Sequence, residues 1–397
     1  MRRRFTIHKG FTEPLTFNIL SAGTINWTAS DTTVTKTIDY KLNDGEWVSI
    51  ASNTDSSAPT IEVNPGDKIQ FRGDNTAYCG DNPDLYSTFG GSTAEFEIEG
   101  NIMSLINSTD FSTLTTLESN FTFAFLFSNC TGLTSAENLI LPATSLTMGC
   151  YLVMFYGCTS LTKAPALPAT TLANNCYDSM FMDCKSLTIA PELPATTLVE
   201  YCYYQMFLSC TSLTTAPELL ATTLAKGCYS YMFYGCTSLA TAPALPATAL
   251  ASNCYQSMFR GCTSLTTAPA LPATTLAGGC YSYMFWSCTS LTTAPELPAN
   301  TLMQECYRSM FENCTSLTTA PVLPARNLIT YCYYSMFYGC KSLNYIKCLA
   351  TSIPTNYCTS AWVRGVASTG TFVKAASMSK WTTGEKGIPK GWTVQNA

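Results

Sequence analysis

The sequence predicts an α/β repeat solenoid of 26-residue units preceded by a small all-β sandwich. Three observations predict it. One unit, C-Y-x-x-M-F-x-x-C-T-S-L-T-T-A-P-x-L-P-A-T-T-L-x-x-x, is written eight times, starting at Cys150, Cys176, Cys202, Cys228, Cys254, Cys280, Cys306 and Cys332. A fixed period of this length marks an array in which each unit buries its apolar face against its neighbours. Residues 1–100 lack the unit and carry short alternating runs between turn signals instead. Charged residues make up only 12% of the 397, about half the usual ~25%, so Thr, Ser, Asn and Tyr must solvate the surface.

Taken in order, MRRRFTIHKG has a basic start and no apolar core segment, so it is not read as a secretory signal. Phe5-Thr6-Ile7 looks like the opening of a strand. Strand patterns follow at 15–19, 38–42, 47–50, 61–63, 69–71 and 96–98, with Asn43-Asp44-Gly45 and Asn64-Pro65-Gly66-Asp67 as turns. Nothing there reads as a helix, and strands at this spacing argue for a sandwich. This domain, 1–100, holds 14 acids against 8 Lys and Arg up to residue 104. Gly100–Met103 joins it to an N-terminal cap and irregular first repeat over 101–149. There Phe125–Leu133 matches M-F-x-x-C-T-S-L, and the segment Glu137–Ile140 is two residues longer than its later counterparts.

The eight-unit array occupies 150–357. Inside a unit, Cys-Tyr-x-x-Met-Phe places apolar residues at i, i+1, i+4 and i+5, one face of a short helix. Ser-Leu-Thr-Thr-Ala-Pro-x-Leu-Pro reads as a short strand that proline interrupts. Leu161, Leu187 and Leu213 begin one core column, Leu167, Leu193 and Leu219 a second, and Phe155, Phe181 and Phe207 through Phe337 an aromatic spine. After Cys358 the pattern dissolves into Trp362, Thr371-Phe372-Val373 and a Trp392 tail, a C-terminal cap over 358–397.

Eighteen of the 20 cysteines, counting Cys130 and Cys358, fall in two registers, the first and ninth positions. They are small buried hydrophobes or disulfides. A regular bridge would pair alternate units and break their equivalence, which favours thiols. Metal binding is poorly served, with no CxxC and a single histidine, His8.

Composition closes several function classes. A net charge of −5, with no basic cluster beyond Arg2, Arg3 and Arg4, argues against nucleic acid. No apolar run approaches the ~20 residues of a membrane span. A histidine-based triad would have to use His8, so catalysis is not expected, and no cofactor is implied. The column Glu192, Glu218, Glu296 is interrupted by Ala244, Ala270 and Val322 and reads as surface. The loop Asp74–Asp84 has oxygen ligands enough for Ca²⁺, but its spacing fits no standard calcium loop.

At Met232-Phe233-Tyr234-Gly235-Cys236-Thr237-Ser238-Leu239 and Leu245-Pro246 the chain resembles leucine-rich repeats of the BspA-like type. Such repeats are common in surface proteins of gut Bacteroidetes and in proteins of their phages. The resemblance covers roughly 120–360, departs from the general leucine-rich pattern in its Ala-Pro, and implies a curved solenoid used for adhesion or recognition. It carries no catalytic residues. A looser resemblance links the sandwich-plus-array arrangement to predicted proteins of Bacteroides phages. This implies a virion, with residues 1–100 meeting other virion proteins; a bacterial cell surface or secretion is the alternative, and a structural spacer a third reading.

A partner would meet the positions that vary between units: the third, fourth and seventh, and the residue before the first Cys. They supply Tyr156, Tyr204, Tyr231, Tyr234, Arg260, Tyr283, Trp286, Arg308, Tyr334 and Tyr338. Tyr, Trp and Arg among Ser and Asn give rigid contacts and adaptable hydrogen bonds. The expected partner is a cell-surface glycan or protein, with homo-oligomers possible. Bland drift on a solvent face is the competing reading, though drift should favour Lys, Glu and Gln. The paired threonines, as at Thr266-Thr267, offer a third candidate surface, an ice- or carbohydrate-facing ladder; alternation along a strand would leave one of each pair usable.

Overall fold

The computed structural model describes residues 9–54, 58–80, 82–355, 357–379 and 381–397. His8 and the expected strand opening at 5–7 lie outside these. Two bodies, Met1–Pro194 and Ala195–Ala397, are described in turn.

The N-terminal body contains strands β1 (Leu15–Ile19), β2 (Gly23–Asn26), β3 (Thr28–Ala29), β4 (Thr37–Leu42), β5 (Val48–Ala51), β6 (Thr60–Val63), β7 (Lys68–Arg72), β8 (Ser87–Thr88), β9 (Phe96–Asn101) and β10 (Leu133–Ile140). Six of them form one sheet in the order β10-β9-β1-β7-β4-β5, with β2–β6 and β3–β8 as separate ladders. All six strands read from alternation form; β2, β3 and β8 are too short or too rich in Gly and Thr to signal themselves. Their core is aromatic. Phe17 is fully buried, with its ring centroid 4.8 Å from Phe71, 5.0 Å from Phe89 and 4.7 Å from Phe96.

The sheet continues into the irregular first repeat, because β10 pairs in parallel with β9 from Leu133↔Phe96 to Ile140↔Asn101. Eight residues face six, and two register shifts absorb the difference. The two extra residues of this repeat are what the bulges consume. Gly100 is required at this seam: its φ is +84°, and a Cβ there would fall 2.2 Å from Pro14 O.

The expected helix does not form. Among the described residues there is no α-helix, only four short 3₁₀ segments (Lys9–Thr12, Thr32–Val34, Ile102–Leu105 and Phe111–Thr113). The Cys-Tyr-x-x-Met-Phe run is a chain of overlapping turns with a left-handed residue at every fourth position: Gly149, Val153 and Gly157 in one unit, Asn175, Ser179 and Asp183 in the next. A left-handed residue cannot continue a right-handed helix. Alternate N–H groups then divide their bonding. Leu152, Met154 and Tyr156 bond three residues back, whereas Tyr151, Val153, Phe155 and Gly157 reach carbonyls of the following unit at 2.9–3.0 Å. The α half of the expected α/β fold is therefore replaced by a turn ladder, which satisfies its backbone between units.

The C-terminal body repeats the device. Tyr229, Tyr231, Phe233 and Gly235 donate to Cys254, Gln256, Met258 and Arg260 at 2.8–3.1 Å. The Ser-Leu-Thr-Thr segment is also not an extended strand. Single parallel bridges join residues 26 apart, Thr241↔Thr267, Thr267↔Thr293 and Thr293↔Thr319. Both threonines of a pair, such as Thr266 and Thr267, are consequently exposed, and strand alternation does not apply. Three strands, β11 (Tyr345–Cys348), β12 (Thr371–Lys374) and β13 (Thr393–Asn396), form a parallel sheet at the C-terminal end.

The core columns are buried as read, with Leu213 through Leu343 and Phe207 through Phe337 fully buried. Adjacent phenylalanine rings from Phe207 to Phe337 stack at 5.6–5.8 Å. All 20 cysteines are buried, and none is paired in a disulfide. The ninth-position thiol donates to the phenylalanine carbonyl of the preceding unit, as Cys236 Sγ does to Phe207 O at 3.1 Å. That carbonyl also accepts the Cys210 N–H at 3.1 Å, so both lone pairs are used. Burial pushes the thiols up, to about 12 for Cys228 and Cys280.

Candidate functional site

In the C-terminal body the turn ladder places the third, fourth and seventh positions and the residue before the first Cys on one face. There the varying side chains make a continuous chain of ring contacts. Tyr201 meets Tyr204 edge-on at 5.7 Å, Tyr204 meets Tyr231 at 5.7 Å, and Tyr231 meets Tyr234 at 6.3 Å. The Arg260 guanidinium then lies between two rings, 5.1 Å from Tyr234 and 3.3 Å from Trp286. Trp286 touches Tyr283 at 5.7 Å. Arg308 closes the series, 5.4 Å from Tyr283, 5.9 Å from Tyr331 and 5.2 Å from Tyr334. All of these residues are half-buried.

Eight of the ten residues singled out from the sequence are thus brought together: Tyr204, Tyr231, Tyr234, Arg260, Tyr283, Trp286, Arg308 and Tyr334. Tyr338 lies apart, with Arg364 5.6 Å over its ring and Arg364 in turn 3.4 Å from Glu385. Tyr156 belongs to the N-terminal body, where it is half-buried and its carbonyl accepts from Asn129 at 2.7 Å. Tyr201 and Tyr331, and Lys226 5.5 Å over Tyr201, were not singled out. The place just before the first Cys was legible as variable, but its residues were not picked.

The electrostatics are balanced. Arg308 Nη1 is 3.1 Å from Glu305 Oε2. Desolvation raises the Glu312 carboxyl above its ordinary value, against a hydrogen bond from Ser309 and the attraction of Arg260 and Arg308. Elsewhere, Asp74 of the loop considered for calcium accepts from Ser108 N at 2.8 Å and Ser108 Oγ at 3.0 Å, and Asp81 lies outside the described residues. No cluster of three His, Cys, Asp or Glu able to hold a metal occurs among the described residues. No helix among them is long and apolar enough to cross a membrane.

The backbone beneath the face is unusual. Tyr201, Tyr231, Tyr283 and Tyr331 all have φ of 55–60°. Other units use Gly149, Asn175, Gly227, Asn253, Gly279 and Glu305 where Tyr201 and Tyr331 stand, and Val153, Ser179, Gln205, Ser257, Ser309 and Ser335 where Tyr231 and Tyr283 stand. A bulky residue in this conformation costs about 1–2 kcal/mol, which glycine avoids and asparagine reduces.

A family model for the BspA type leucine-rich repeat region, six copies, matches residues 123–266 and 226–359, more than half of the chain. The chain belongs to the BspA-type leucine-rich repeat family. This BspA-type chain is leucine-rich in its two leucine columns, and its bulk is strand, bridge and turn. Membership of this repeat family is consistent with a non-enzymatic surface or adhesion protein. No curated protein matches this BspA-type repeat chain.

Proposed function

We propose that this protein is a non-enzymatic recognition protein whose BspA-type units stack as a solenoid and contact a bacterial cell surface through the aromatic and arginine face. The carrying observation is the continuous run of ring and guanidinium contacts from Tyr201 to Tyr334 on positions that vary between units. Drift on a solvent face should favour Lys, Glu and Gln rather than Tyr, Trp and Arg. The face also has the aromatic and arginine content of binding hot spots. Placement on a phage virion, with residues 1–100 joining other virion proteins, is supported by the looser resemblance of the whole arrangement to phage proteins. Antibody against the chain should then label phage particles, and labelling confined to the bacterial surface would place it as an adhesin.

The face is tested by replacing Tyr234, Trp286 and Tyr334 with Ser and measuring binding to host cells, with the melting temperature as a check on folding. Binding should fall at least tenfold in a protein that still melts cooperatively. Unchanged binding would leave the second reading, a structural spacer. That reading is favoured by the same contacts, because rings and guanidinium groups that satisfy each other also bind unit to unit.

A further inference from the structure

We infer that the face takes a carboxylate-bearing glycan, a uronic- or sialic-acid saccharide, with Arg308 holding the carboxylate; this rests on the recognition reading above. The ground is a surplus of donors. Trp286 Nε1 and Arg308 Nε are both buried without an acceptor among the described residues. Both side chains flank one ring, Tyr283, at 5.7 Å and 5.4 Å. Buried polar groups are normally paired, and each one left unpaired asks for an explanation. Both groups are donors, so the missing partner must bring oxygen acceptors.

Arg308 commits Nη1 to Glu305 and has further donors in its planar fork, the geometry that matches a carboxylate. The local charge does not repel an anion. Lys226, Arg260 and Arg308 stand against Glu200, Glu305 and Glu312, so the face is neutral in a chain of net −5, and Arg308 is its cation with a donor left over. Three tyrosines within 5.9 Å of the Arg308 guanidinium supply apolar faces beside the anion seat, which suit the C–H faces of a pyranose. The rings recur from unit to unit, as sugars recur in a polymer. Entry requires the half-buried Tyr283 ring to move aside, uncovering both donors.

The test uses the full chain with four probes: polygalacturonate, its methyl ester, sialyllactose and polyglutamate. Retardation in polygalacturonate gels, or heat of binding with sialyllactose, is expected, and which of the two binds separates uronate from sialate. The methyl ester, the same polymer without its charge, should not bind. Arg308→Gln should weaken binding about tenfold, the loss of one charged hydrogen bond. Arg308→Lys, which keeps the charge but not the fork, should fall nearly as far in a protein of unchanged melting temperature. Equal binding of the ester, equal binding of polyglutamate, indifference to both Arg308 variants, or no binding of either acidic glycan would overturn the assignment. If Tyr283→Ser and Tyr334→Ser also leave whole-cell binding unchanged, the recognition reading itself falls. If those variants abolish cell binding while the ester binds as well as the acid, only the carboxylate assignment falls.

Discussion

The left-handed position before each first cysteine is where neighbouring units negotiate their side chains. The Tyr201 ring lies over Gly227, and a Cβ on Gly227 would stand 2.3 Å from Tyr201 Cε1. Gly279 has the same relation to Asn253 Oδ1, at 2.2 Å. Gly227→Ala should therefore lose about 2–4 kcal/mol, from left-handed strain and overpacking together. In a double-mutant cycle with Tyr201→Ala the overlap vanishes, so chemical denaturation should return a favourable coupling of about 1 kcal/mol or more; strict additivity would mean the ring does not sit where described. The buried tyrosine column offers the opposite kind of change. Tyr307 is buried and its hydroxyl has no hydrogen-bond partner among the described residues. Tyr307→Phe should be neutral or stabilising by about 1 kcal/mol in the same assay, and a clear loss would reveal a partner for that hydroxyl.

Among the elements, the sequence conveyed the buried columns but not the backbone that carries them. Cys-Tyr-x-x-Met-Phe-x-x-Cys repeats every four residues, and over nine residues a period of four cannot be told from the 3.6 of a helix. The distinguishing signal lay in residue type. Gly157, Asp183, Gly235, Gly261, Asn313 and Gly339 fill the eighth position in six of the eight units, with Ser209 and Ser287 in the other two; Gly, Asn and Asp are the residues that tolerate a left-handed backbone. The pairing of β10 with β9 was hidden for another reason: its bulges blur alternation, and its partner lies over 30 residues away. The thiol columns give this element a chemical signature. Buried thiols in the folded chain ionise only at about 12 for Cys228 and Cys280, against an ordinary 9.0. Their folded value is raised, so their contribution to stability is whole below pH 9 and is lost as pH climbs from there through about 12. Many equivalent thiols should make the alkaline transition steep when followed by circular dichroism. Below pH 9 a thiol reagent should label the native chain slowly and the denatured chain at once, and rapid labelling of the native chain would contradict the burial.

At the scale of the whole molecule, the repeat and the varying positions were legible because each can be read by comparing the chain with itself. The contact chain from Tyr201 to Tyr334 was not, because each ring's neighbour is set by stacking units rather than by sequence adjacency. Arg260 reaches Trp286 exactly because position seven of one unit lies beside position seven of the next. If 26 residues are the unit of construction, removing residues 254–279 joins Asn253 to Cys280 and restores every column, every thiol-to-carbonyl bond and every left-handed position in register. Nearest-neighbour arrays lose one unit and one interface in such a change, so the shortened chain should remain folded and its melting temperature should drop by only a few degrees. It should still lose binding selectivity, because Arg260 leaves the gap between Tyr234 and Trp286. Removing residues 254–266, half a unit, sets turn against bridge and leucine against threonine, and should abolish cooperative melting. Equal tolerance of both deletions would mean that the units do not depend on register, and the stacked arrangement would have to be abandoned.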